Sequence, residues 1–303
     1  MPYKSRMKSN ELIILELLSK RMNLDSKVRQ YYFNLKKGYE GEVLFDSLTE
    51  KLQCECLILN DLLLIVNNTT FQIDSLIIMA GKIYFFEVKN YKGDYYYEYD
   101  KLFKKPNLEV INPYHQLSRS ESLLRQLLLS LGFKLQIDAS IVFINPKFTL
   151  YQAPLDKPII FPTQVKQYME NLNVIPSKLT ESHKKLAEKL LSLNNTDSPY
   201  KQIPSYNYDQ LKKGTTCAKC DSFSVSIMKR KCVCHDCGDR EPITSAVLRS
   251  VKEFKILFPN GKITTNLIHD WCQVVQPKRT IRKILPTSIL SGFISGLTTN
   301  KIL

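Results

Sequence analysis

Between residues 56 and 90 apolar and polar positions follow a strand-like pattern, interrupted by short turn signals. Runs at 56–59, 62–66, 71–79 and 82–90 read as strands, with Asn67-Asn68 and Ala80-Gly81 as the turns. On either side the period changes. An amphipathic helix is expected over 10–21, and in KKGYEGEVLFDSLTEKL (36–52) Val43, Leu44, Leu48 and Leu52 recur at helical spacing. YYYEY at 95–99 reads as a further strand, and Asn112-Pro113 opens a long helix that Gly132 ends. IDASIVFINP (137–146) is a buried strand, KPIIFP (157–162) a shorter one, and 163–193 one or two helices. This is the pattern of an α/β (α+β) fold, a mixed sheet flanked by helices.

The same pattern divides the chain. Residues 1–35 form an N-terminal helical segment, 36–165 the mixed α/β domain and 166–193 a helical extension. The stretch 194–212 is polar, carries two prolines and lacks periodicity, so it reads as a linker. A cysteine-rich module follows at 213–242, then a basic helical tail at 243–303. No internal repeat is visible.

One hairpin places charge where burial is expected. In FQIDSLIIMAGKIYFFEVKN (71–90), a tip at Ala80-Gly81 sets Met79 against Lys82. The same register sets Asp74 against Glu87 and Gln72 against Lys89. Asp74, Glu87 and Lys89 then share one face, while Ile73, Ile77, Phe86 and Val88 fill the other. Like charges opposed in a sheet cost up to roughly 1 kcal/mol before burial, and taking an acid out of water costs several kcal/mol more. A divalent cation between the two acids offsets that cost. Oxygen ligands suit Mg²⁺ or Mn²⁺, and Lys89 sits at the rim of such a site, able to orient water or stabilise charge on a phosphate.

An acid followed by a strand carrying E-x-K resembles the core of PD-(D/E)xK nucleases. The fuller set is Gly38, Gly41 and Glu42; then Ile73 and Asp74; then Glu87, Val88, Lys89, Asn90, Tyr91 and Gly93; then Asn112, Pro113 and Gln116. Together these are similar to the nuclease-related domain (NERD) family. The resemblance implies a restriction-endonuclease-like fold in which Asp74 and Glu87 hold Mg²⁺, with the Val88 carbonyl as a further ligand. Lys89 would position the attacking water. Glu42, near the start of its helix, would approach the metal or its water, and Gln116 would orient water or phosphate. Ser75 departs from the bulky residue expected after the aspartate. The activity implied is metal-assisted hydrolysis of a phosphodiester, with no serine or cysteine nucleophile and no role for His115 or His183. A catalytically inactive nucleic-acid-binding or protein-interaction protein keeping the same fold is the alternative. The intact Glu42, Asp74, Glu87 and Lys89 set favours the enzyme.

Eight cysteines are present, five of them within 217–237. Cys217-x2-Cys220 and Cys234-x2-Cys237 have the spacing of paired knuckles around tetrahedral Zn²⁺, resembling a zinc ribbon of the topoisomerase zinc-finger type. Cys232 or His235 could replace Cys234 in that set. A site closed by four thiolates is structural rather than catalytic. Cys54 and Cys56 are expected to alternate into a strand as core residues, and Cys272 to be buried in a helix. At 259–285, two short helices around a turn resemble a helix-turn-helix. Thr264 or Thr265 caps the first, Leu267, Ile268 and Trp271 pack it, and the second carries Lys278, Arg279, Arg282 and Lys283.

Charge completes the reading. A net charge of +14 favours a polyanionic partner, nucleic acid and most simply DNA. No run has the roughly 18 apolar residues of a membrane span. Glu11 and Glu16 interrupt the apolar N-terminal stretch where a signal peptide would not tolerate them, which points to the cytoplasm.

Overall fold

The turn at Ala80-Gly81 fixes the centre of the fold. In the computed structural model, which describes residues 1–195, 202–275 and 277–285, the hairpin pairs Ile78 with Ile83, Ile77 with Tyr84, Leu76 with Phe85 and Ser75 with Phe86. That is the register the turn dictates. In chain order the elements of the first part are α1 (Asn10–Arg21), α2 (Ser26–Thr49), β1 (Leu57–Val66), β2 (Thr69–Ile78), β3 (Lys82–Lys89), β4 (Gly93–Glu98), β5 (Lys101–Lys104) and β6 (Leu108–Val110). Then come α3 (Pro113–Ser130), β7 (Gln136–Phe143), β8 (Phe148–Tyr151), β9 (Ile159–Ile160), α4 (Val165–Asn173) and α5 (Glu181–Ser192).

Contacts divide the chain into two units, Met1–Lys8 with Phe33–Lys201, and Ser9–Tyr32 with Gln202–Leu303. Residues 196–201 of the expected linker, and residue 276 and 286–303 of the expected tail, lie outside the described residues.

The first unit holds a five-stranded mixed sheet in the order β1-β2-β3-β7-β9. β1, β2 and β3 are antiparallel neighbours, while β7 runs parallel to β3 and β9 parallel to β7. One face is covered by α3 and α5 through Leu117, Leu124, Leu128, Leu186 and Leu190. The other packs Phe45 of α2 and Val165, Met169 and Leu172 of α4 against Ile77, Phe86 and Val88. A smaller sheet, β6-β5-β4-β8, adds Tyr95, Tyr97, Leu102 and Phe148 to the first of these cores. Both faces of the central strands are therefore buried, as a parallel crossover requires.

Four local expectations change. The two runs at 56–59 and 62–66 are one strand, β1, kinked at Asp61, whose φ is +57°. At the kink the inward side switches, so Leu59 with Leu76 and Leu62 with Ile73 all enter the same core. Ile73 thus packs with Leu76 and Phe85, not with Ile77 and Phe86. α2 starts at Ser26, where Asp25 accepts the Lys27 and Val28 N–H groups, each at 2.9 Å. Glu42 consequently lies in the C-terminal half of its helix rather than near the start. Cys54 and Cys56 precede β1, half-buried and outside any strand.

The second unit contains α1, the first residues of α2, a three-stranded sheet of β10 (Val225–Met228), β11 (Lys231–Cys234) and β12 (Arg240–Pro242), and helices α6 (Ile243–Leu257), α7 (Thr265–Cys272) and α8 (Lys278–Ile284). Its core joins Leu18 of α1 to Val247, Phe254, Ile268, Trp271, Cys272 and Ile281. Thr264 caps α7 by accepting the Leu267 N–H at 3.1 Å. Among the described residues no helix is long and apolar enough to cross a membrane.

Candidate active site

The β2–β3 ladder closes at Ser75 and Phe86. The next position would pair Asp74 with Glu87, and there a side chain replaces the backbone: Asp74 Oδ2 accepts the Val88 N–H at 2.7 Å. Gln72 and Lys89 do not pair, because the ladder has already ended; Lys89 pairs with Phe143 of β7 instead. The Ile144 N–H donates to the Lys89 carbonyl at 3.1 Å. Backbone groups of successive strand residues face opposite edges, so those of Val88 face the β2 side, where Asp74 stands.

Asp74 and Glu87 are 6% and 1% exposed. Lys89 Nζ lies 2.6 Å from Glu87 Oε1 and 3.1 Å from Gln116 Oε1. Asn112 positions Gln116: it caps α3 by accepting the Tyr114 N–H at 3.0 Å, takes the Tyr97 hydroxyl at 2.5 Å, and donates to the Asp100 carbonyl. The Asn-Pro pair thus anchors the helix start, and Gln116 faces Lys89 in its first turn.

Glu42 joins the group from α2. Its Oε2 accepts from Arg6 Nη1 at 2.6 Å, and the same guanidinium donates from Nη2 to the Asp74 carbonyl at 2.6 Å. Nothing in the sequence pattern had singled out Arg6 or its second partner Asp46. Asp46 could have been found, since it follows Glu42 by one helical turn on the same face. Ser75 is fully buried and donates to Asn60 Oδ1 at 2.8 Å, so its small side chain is used in the sheet. His183 caps α5 and His115 lies beside Asp100, both apart from the acids.

The electrostatics are those of crowded acids. Burial first, and the Asp74 charge second, push the Glu42 and Glu87 carboxyls from an ordinary 4.5 up to about 8, against the opposing pull of Arg6 and Lys89 respectively. Asp74 is itself raised, by burial above all. Burial alone would lower Lys89, but Glu87 and Asp74 outweigh it and hold the ammonium above its ordinary value. Lys89 therefore stays charged at neutral pH. Glu87 Oε2 is buried and has no hydrogen-bond partner.

The two glycines of the motif differ in kind. A Cβ on Gly41 would stand 2.5 Å from Asn90 Cβ, and Asn90 is locked by donating to the Lys37 carbonyl at 2.8 Å and accepting from Asn145 at 2.8 Å. A Cβ on Gly38 meets nothing within 4 Å. Gly41→Ala is expected to destabilise, its overpacking cost of about 1–3 kcal/mol exceeding the gain in helix propensity. Gly38→Ala is expected to stabilise by up to about 1 kcal/mol. Urea unfolding of the two variants checks this; shifts of the same sign would remove the steric reading.

The four cysteines 217, 220, 234 and 237 form a second centre. Their sulfurs all lie within 4.8 Å of one another. Cys217 Sγ is 3.6 Å from Cys237 Sγ, and Cys220 Sγ 3.6 Å from Cys234 Sγ. A tetrahedron with Zn–S bonds of about 2.3 Å has edges near 3.8 Å, so the set can hold zinc. The Lys219 N–H donates to Cys217 Sγ at 3.3 Å, and Gly238 takes φ +73° to close the second knuckle. Cys232 and His235 fall outside the cluster.

Residues 37–144 match the family model for the nuclease-related domain (NERD). The matched segment contains Glu42, Asp74, Glu87, Lys89 and Gln116, and leaves out Arg6 and the cysteine centre. No curated protein and no solved structure matches the chain.

Proposed function

Taking residues 37–144 as a nuclease-related domain, we propose that the chain is a divalent-metal-dependent phosphodiester hydrolase, most directly a DNA endonuclease. The observation that carries this reading is Glu87 Oε2, a buried carboxylate oxygen without a partner, beside a second buried acid. Buried polar atoms without partners are rare and cost about 1–3 kcal/mol or more. A hard cation satisfies that oxygen and lowers the mutual repulsion of Asp74, Glu87 and Glu42. The donor set, carboxylates with the Val88 carbonyl facing Asp74, suits Mg²⁺ or Mn²⁺.

In this reading Asp74, Glu87 and the Val88 carbonyl hold the ion, with Glu42 close by. The bound ion would supply Lewis acidity toward a phosphoryl oxygen and lower the pKa of water. The chain's own groups do the rest. Lys89, held charged between Glu87 and Gln116, donates from Nζ to orient the attacking water and stabilises negative charge on the phosphate. It acts as a cation and not as a base, because both neighbouring acids favour its protonated form. Gln116 fixes the Nζ direction and offers its amide N–H to water or phosphate.

The cysteine centre is proposed to hold structural Zn²⁺. The exposed Lys278, Arg279, Arg282 and Lys283 of α8 are proposed to contact the DNA backbone, which accounts for part of the positive charge. Incubation of the full chain with supercoiled plasmid, Mg²⁺ and Mn²⁺ tests the proposal. Wild type is expected to nick or linearise the plasmid only with metal, and Asp74→Ala is expected to leave it intact. Equal cleavage by both proteins, or none by wild type, removes the enzyme reading.

A further inference from the structure

The N-terminal segment before α1 belongs to the acid cluster, although it lies outside the family-matched region. Its backbone bridges to the free edge of β1: the Lys4 N–H donates to the Ile58 carbonyl, and the Asn60 N–H donates back to the Lys4 carbonyl, both at 3.0 Å. Lys4 Nζ adds bonds to the Asn60 and Asp61 carbonyls at 2.6 and 2.7 Å, at the kink of β1. At Ile58–Asn60 the edge of β1 is thereby occupied by the chain's own backbone. The same placement delivers Arg6, two residues on, into the space between β2 and α2.

Arg6 is then over-determined. Its side chain is 3% exposed. Nη1 holds Glu42 Oε2 at 2.6 Å, Nε and Nη2 grip Asp46 at 2.9 and 3.2 Å, and Nη2 also reaches the Asp74 carbonyl at 2.6 Å. A buried guanidinium costs several kcal/mol unless geometry and partners are excellent, and here every acceptor is within hydrogen-bonding distance. The group is planar and rigid, so one residue sets the position of the Glu42 carboxylate relative to the backbone of Asp74. Holding one oxygen of a carboxylate leaves the other aimed in a fixed direction, which is how outer partners tune the groups around a metal.

We infer that Arg6 is a positioning residue of the carboxylate site, and that the N-terminal segment is part of the active centre. The inference rests on the hydrolase reading above. Arg6 carries a positive charge into a site that takes a cation, so it does not help to attract metal. Its contribution is the direction of Glu42. Loss of Arg6 should therefore lower turnover without weakening metal binding, whereas damage to the fold would lower both.

The test uses the full chain as wild type, Arg6→Lys, Arg6→Ala and Asp46→Asn. Mn²⁺ affinity is read by isothermal titration calorimetry, and kcat and KM by plasmid cleavage with Mn²⁺. Arg6→Lys keeps the charge but cannot bridge Glu42, Asp46 and the Asp74 carbonyl together. It is expected to lose about 10–100-fold in kcat, the range for outer partners of metal ligands, with KM for DNA unchanged and Mn²⁺ affinity equal to or tighter than wild type. Asp46→Asn, which loosens the fork without removing Arg6, should show a smaller loss of the same kind and carries the test if Arg6→Ala does not fold. Wild-type kcat in Arg6→Lys overturns the inference and leaves the hydrolase reading standing. So does a Mn²⁺ affinity that falls in step with kcat in Arg6→Lys and Asp46→Asn. Absence of cleavage by wild type overturns both.

Discussion

Asp74→Asn is expected to raise the melting temperature of the metal-free protein while removing its metal-dependent cleavage. The two effects share one cause. Asp74 is the largest charge-based reason, after burial, that Glu42 and Glu87 are pushed up to about 8. Asn has the same shape, and its Oδ1 can still accept the Val88 N–H that Asp74 takes at 2.7 Å. The substitution thus deletes repulsion and keeps the hydrogen bond. A gain of about 1 kcal/mol follows the usual trade between stability and a strained site, equivalent to about 2–4 °C in a domain of this size. Activity should fall at least about a hundredfold, the upper range already seen for mere outer partners of metal ligands.

The pH dependence carries the same sign. An acid whose folded pKa lies above its unfolded value binds its proton more tightly in the native state, so stability is greatest below the unfolded value and declines as pH rises through the folded one. For Glu42 and Glu87 that window runs from 4.5 to about 8. The metal-free wild type should lose stability across it, and Asp74→Asn should lose less. Thermal unfolding at stepped pH, with chelator present, reads both. A midpoint lowered by the substitution, or a slope of the opposite sign, contradicts this account of the site.

How far the site could be read in advance follows from which interactions are local. The register of β2 against β3 was legible because a two-residue tip leaves the strands one pairing, and Ile78 to Ile83 through Ser75 to Phe86 obeys it. That the ladder stops there was not legible. Asp74 takes a backbone donor in place of pairing, and Asp61 across from it adopts a left-handed conformation that no alternation rule anticipates. The early start of α2 was present in Asp25, but the apolar spacing of Val43, Leu44, Leu48 and Leu52 marks only the C-terminal half of the helix; Gly41, within it, is demanded by the Asn90 side chain pressed against the helix. Arg6 is the clearest loss. Its acceptors lie 36 to 68 residues away, so neither periodicity nor spacing can point to it. The cysteines stand at the other extreme. A knuckle is built from three or four consecutive residues, so its chemistry is written in the spacing itself.

That difference sets the expectation for Cys217. Its replacement by Ser should abolish bound zinc and unfold the three-stranded sheet, whereas Cys232→Ala should keep one equivalent of zinc. The sheet has little else to hold it. β10 and β12 bury no side chain fully; within the sheet the fully buried side chains are those of β11, and Ile227 of β10 is only partly buried against the neighbouring core. Too small a core cannot offset the entropy of ordering the chain, so the metal must supply the difference, several kcal/mol out of the roughly 10–16 kcal/mol that structural zinc provides in isolated fingers. Cys217 sits at the centre of the first knuckle: its N–H donates to the Ser222 carbonyl at 2.8 Å, and its sulfur accepts from Lys219 at 3.3 Å. Ser keeps neither the thiolate nor the bond length. Cys232 points into the sheet's own packing opposite Ile227 and Glu241, outside the four-sulfur cluster, and its loss removes only a small buried group. Elemental analysis gives the zinc count, and amide exchange over 217–242 gives the fold. Retained zinc in Cys217→Ser, or loss of it in Cys232→Ala, would assign the ligands differently. Because α6 begins at Ile243, directly after β12, unfolding the ribbon should also expose the amides at the start of that helix, where Arg249 bonds the Thr216 carbonyl at 2.6 Å and Glu241.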